Sequence, residues 1–131
     1  MRRLRDRRGT ASLELALVLP FVIAVLLGAI DLGRLMGDQH ALDRGVAVAA
    51  RYAIVNSSSA TAASITTVFD SAVQPLLGSC GTCTVTVSFN PSYQPGGTVT
   101  ISASYPWTAT LPALTVANTT LSSSITLTVQ N

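Results

Sequence analysis

The chain has 131 residues, 48% of them hydrophobic, and its charged side chains are eight arginines and six acids, with no lysine. Five arginines (Arg2, Arg3, Arg5, Arg7, Arg8) crowd the first eight positions, whereas everything after Gly9 holds three (Arg34, Arg44, Arg51) against five acids (Glu14, Asp31, Asp38, Asp43, Asp70). The folded part therefore lacks the basic face that a nucleic-acid partner would need, and no Ser/His/Asp, paired-carboxylate or phosphate-loop pattern points to an enzyme or a cofactor.

The basic tip leads into an uncharged, almost wholly apolar run over residues 15–30. As a helix this run covers roughly 24 Å, short of a hydrocarbon core of about 30 Å. Starting the span at Thr10 makes it long enough, but only if Glu14 enters the membrane boundary. A charge near the centre of a span costs roughly 2.5–3.5 kcal/mol on insertion scales, so an intramembrane carboxylate is a functional candidate by default. The five arginines predict a cytoplasmic N-terminus, with Asp31 and all that follows on the other side of the membrane. A cleaved secretory signal is not expected. Its small-x-small site is missing, since Gly28 is followed two positions on by Ile30, and Leu27 stands two before Ala29. Pro20 within the run reads as a tolerated kink.

Beyond Asp31 the helical period continues through Leu32, Leu35, Met36, Leu42, Val46, Ala49, Ala50 and Ala53, with Asp38, Asp43 and Arg44 off the stripe. One helix is predicted from about Thr10 to Ile54. Gly28, Gly33, Gly37 and Gly45 weaken its propensity but permit close helix contacts. Asp31, Arg34 and Asp38, at three- and four-residue steps, are expected to form surface ion pairs, and His40 to be solvated. After the break at Asn56-Ser57-Ser58-Ser59, Ile65, Val68, Phe69, Ala72 and Leu76 predict a second, shorter amphipathic helix ended by Gly78.

From there the pattern alternates with period two. Val85, Val87 and Phe89 share one face, as do Val99, Ile101, Ala103 and Tyr105, and then Ile125, Leu127 and Val129. Asn90-Pro91 and Gln94-Pro95-Gly96-Gly97 supply the first turn. Pro106, Pro112 and Asn118 are expected to separate the last strand, with room for a short strand near 114–116. Trp107 and Tyr105 are expected in the core or at its rim. The fold class is α+β: a long transmembrane and amphipathic helix, a short second helix and a small antiparallel sheet, a pilin-like arrangement. The expected divisions are a basic leader (1–9), the long helix (10–55) and an external α+β domain (56–131).

Cys80 and Cys83 are the two cysteines, spaced Cys-x-x-Cys. Such a pair serves as a redox motif, half of a zinc site, or a small disulfide. Zinc would need two more ligands, and His40 is the only other plausible soft one. No strand–helix thioredoxin context surrounds the pair, so a structural bridge formed in an oxidising compartment is expected.

The stretch RRGTASLELALVLPFVIAVLLGAIDLGRLMGDQHALDRGVAVAARYA, residues 7–53, resembles the TadE-like proteins, minor pseudopilins of the tight-adherence (Tad/Flp) branch of type IV pilus systems. The matching features are Arg8-Gly9, Glu14, Pro20, the passage Gly28-Ala29-Ile30-Asp31-Leu32-Gly33-Arg34, and Ala50-Arg51. The residue after the glutamate, commonly aromatic in this branch, is Leu15. The resemblance implies cleavage by a prepilin peptidase between Gly9 and Thr10, a place in the bacterial inner membrane, and partners among other pseudopilins and the pilus assembly platform. It also gives Glu14 a role, since the carboxylate would neutralise the new Thr10 amine of a neighbouring subunit. Two rival functions stand beside this one: a membrane-anchored binding module presenting the uncharged sheet, and a thiol oxidoreductase using Cys80 and Cys83.

Overall fold

A computed structural model describes residues 7–77, 81–90, 96–109 and 119–129. Helix α1 runs unbroken over Arg7–Val55 and α2 over Ala62–Leu77, followed by β1 (Thr84–Asn90), β2 (Thr98–Trp107) and β3 (Thr119–Thr128). The strands form an antiparallel meander in the order β1-β2-β3. The architecture is the expected α+β one. The chain is already helical at Arg7, the first described residue, three before the predicted start. Gly78, the 91–95 part of the first turn, Pro112, Asn118 and the candidate strand at 114–116 lie outside the described residues.

Each junction has a local cause. At the end of α1, both the backbone N–H and the side-chain Nδ2 of Asn56 donate to the Tyr52 carbonyl, each at 3.0 Å, satisfying one of the carbonyls a helix end leaves open. Thr61 caps α2: its Oγ1 accepts from the Ser64 N–H at 3.2 Å while Ser64 Oγ accepts from the Thr61 N–H at 2.9 Å. This is the reciprocal geometry of a capping box, with serine in the place usually held by Glu or Gln. Gly96, at φ +88°, turns the chain into β2, and its N–H donates to the Val129 carbonyl at 2.9 Å.

Both helices lie on one face of the sheet, α1 across β2 and β3 and α2 beside β1. The shared core comprises Leu42, Val46, Ala49, Ala50 and Ala53 of α1, Ile65, Phe69 and Val73 of α2, and Val99, Ile101, Ala103, Trp107, Leu121 and Val129 from the sheet side. Gly45 sits at the helix crossing. A Cβ there would collide with Val73 Cγ1 and stand 2.9 Å from Phe69 Cε2. Gln39 Nε2 ties the helix to the sheet, donating to the Ser122 carbonyl and to Asp43 Oδ1, each at 3.2 Å.

Three expectations need correction. Leu76, expected on the apolar side of α2, is exposed while Val73 is buried; on α1, Leu32 and Met36 of the apolar stripe are each 54% exposed in the single chain. The domain grips α1 on the side that carries Asp31, Leu35 and Leu42, and α2 meets its neighbours only along Ile65, Phe69 and Val73. Asp31 is not on the surface, being 5% exposed. Pro106 does not end a strand: β2 continues through it to Trp107, paired with Thr120. β1 reaches only as far as Ser104, so at Pro106 one side of β2 is open, the setting in which a strand accommodates proline.

Candidate functional site

The candidate site begins where the N-terminus enters α1. Gly9 and Thr10 lie in the first turn of the helix. Glu14 follows one turn later. It is exposed, as is every residue from 11 to 27, and it makes no hydrogen bond or ion pair among the described residues. Among the described residues the fold brings no partner side chain to Glu14.

The segment that carries Glu14 is bare. Leu13, Leu15, Leu17, Phe21, Val25 and Leu26 are all more than half exposed. The most apolar part of α1 contains no buried residue, although it is long and apolar enough to cross a membrane. Just past Pro20, Phe21, Val22, Val25 and Leu26 line a shallow apolar groove on the helix surface. So much exposed hydrocarbon is far beyond the patches that soluble monomers tolerate, and it requires lipid or other helices around it.

At the other end of the bare stretch stands Asp31. Its side chain is 7% exposed, and Oδ1 lies 3.6 Å from Arg34 Nη1, whose own side chain is 53% exposed. The sequence reading took this pair for a surface one. A signal was available: Asp31 is in helical register with Leu35, Leu42, Ala49 and Ala53, the face buried against the domain.

The remaining candidates are separate from Glu14 in the fold. Cys83 is half-buried against the core just before β1 and is not free, while Cys80 lies outside the described residues. His40 is exposed, and among the described residues no group of three or more His, Cys, Asp or Glu side chains could hold a metal ion. The indole Nε1 of Trp107 is buried without a hydrogen-bond partner.

A feature the sequence reading left as plain strand surface is the outer face of the sheet. The pairing aligns Thr84, Ser104 and Ser122, then Thr86, Ser102 and Ser124, then Ser88, Thr100 and Thr126, and last Asn90, Thr98 and Thr128. This is a grid of hydroxyls with one amide and no charge. Thr100 shares a hydrogen bond with Thr126 and Ser102 with Ser124, both at 2.9 Å.

An unbroken apolar helix that carries a small α+β domain at its far end defines the class: a protein with one N-terminal candidate membrane span. The family model described as TadE-like protein matches residues 9–51, about a third of the chain, and identifies α1 as its TadE-like region. That match covers Gly9, Glu14, Pro20, Asp31, Arg34 and Arg51. No curated protein and no solved structure matches the chain.

Proposed function

We propose that this chain is a pseudopilin-like subunit of a Tad/Flp pilus or related secretion assembly, anchored once in the bacterial inner membrane with its N-terminus cytoplasmic. A prepilin peptidase removes residues 1–9, and the new Thr10 amine and Glu14 then govern association with other pseudopilins and the assembly platform. Its work is done by packing, with no catalytic role. The observation that carries this reading is that the TadE-like match falls on a helix whose apolar half is wholly uncovered, with a lone carboxylate one turn from the proposed cut.

The energetics follow from that geometry. In a bundle of such helices the Thr10 amine enters nonpolar surroundings, and Glu14 of a neighbour is the group that compensates it. Removing one member of a buried pair typically costs roughly 3–5 kcal/mol, enough to release a subunit from a marginal complex. Glu14→Ala is expected to insert and be processed normally, because the span becomes more apolar and the basic tip is unchanged. Its co-purification with pilus components should fall well below wild type, and Glu14→Gln should be intermediate. Wild-type recovery of the alanine variant would reduce Glu14 to a headgroup residue.

A second reading, an anchored extracytoplasmic binding module, is favoured by the uncharged hydroxyl grid. A leader kept in the mature protein would support that reading over the first.

A further inference from the structure

The bare surface of α1 does not stop where the uncharged run of sequence stops. Asp31 ends that run, but its side chain is 7% exposed and turned into the domain, so its charge does not reach the outer side of the helix. On that outer side Leu32 and Met36 are each 54% exposed. A Cβ added at Gly33 or Gly37 would meet nothing within 4 Å, so among the described residues no part of the domain covers this side. Val18, Val25, Leu32 and Met36 fall at seven- and four-residue steps, one above another along a single helix face. Polar side chains take over at His40, Asp43 and Arg44, all exposed.

We propose that the membrane span ends at about Met36 and not at Ile30, so that the base of the external domain sits within the outer lipid interface. The occupant of the Leu32–Met36 surface is lipid, because this surface continues the span without a step in polarity. Residues 15–36 make a helix of roughly 33 Å, which matches a hydrocarbon core of about 30 Å at the tilt usual for such helices. A span over residues 10–30, roughly 32 Å long, is also sufficient but submerges Glu14. The shifted span leaves Glu14 at the cytoplasmic boundary of the bilayer, available for the pairing proposed in an assembled bundle. Arg34, half exposed, has the long stem needed to bring its guanidinium up to the headgroups.

This inference rests on the single-span anchor proposed above and adds its depth. The test is collisional spin-label accessibility on the full chain in phospholipid vesicles, with labels attached through an encoded ketone residue at positions 22, 32, 36 and 48. Oxygen, which concentrates in lipid, should be the dominant relaxant at 22, 32 and 36, and a water-soluble nickel chelate should dominate at 48. Nickel dominance at 32 or 36, with oxygen still dominant at 22, would overturn the depth and leave the anchor standing. Access by neither reagent at 32 and 36 would mean protein cover and would also overturn it, as would oxygen dominance at 48. Nickel dominance at all four positions would remove the span itself.

Discussion

At Gly45 the absence of a side chain lets the Phe69 ring and Val73 lie directly on the α1 backbone. Gly45→Ala would gain about 1 kcal/mol of helix propensity but must displace both neighbours, and overpacking of this kind costs roughly 1–3 kcal/mol, with Val worse than Ala. Gly37 is the comparison, because a Cβ there meets nothing. Gly37→Ala should therefore raise the midpoint of thermal unfolding in micelles, Gly45→Ala should leave it unchanged or lower it, and Gly45→Val should lower it clearly. Equal shifts for the two alanines would mean that α2 does not pack on α1 as described. The sequence singled out Gly28, Gly33, Gly37 and Gly45 for close contact, and nothing in it separates Gly45 from the other three. That distinction depends on where α2 lands. Asp31 shows the opposite case: its register with Leu35 and Leu42 was there to be read, but its charge suggested the surface.

The elements differ in how far their patterns specify their surroundings. Val85, Val87 and Phe89, or Val99, Ile101 and Ala103, alternate cleanly because one side of the sheet meets the helices and the other does not. Period two was therefore enough to place those strands. The stripe on α1 was legible throughout, but the sequence does not show that the domain covers it from Leu42 to Ala53 and leaves Leu32 and Met36 exposed, since apolarity alone does not distinguish a domain core from lipid. Pro106 was misread for a similar reason: whether proline ends a strand depends on how far the neighbouring strand extends. The approach to β1 carries a prediction of its own. Cys80 and Cys83 are proposed to be bridged, which closes a four-residue ring just ahead of Thr84 and restricts the loop that starts the sheet. Protein taken from the cell envelope and alkylated without reductant should show neither thiol modified by mass spectrometry; two modified thiols would count against the bridge.

For the molecule as a whole, the first question is where the mature chain begins. The Gly9–Thr10 bond lies within α1, so a protease must open this part of the helix to reach it. N-terminal sequencing of membrane-extracted protein should return Thr10, and Gly9→Val should block processing, because a branched side chain has no room where glycine lets a protease approach the extended backbone. Recovery of intact Met1 from a pilus-competent host would refute the cut. Beyond that, α1 passes from its bare half into the domain without a linker, since Asp31 is already gripped one residue after Ile30. The helix therefore acts as a rigid lever with its fulcrum at the membrane. Residues 37–55 reach roughly 28 Å beyond Met36, so a tilt of about 20°, average for membrane helices, swings Val55 sideways by roughly 10 Å. A push or twist applied to the bare half would pass along the same helix to the sheet, because no linker separates the domain from its anchor.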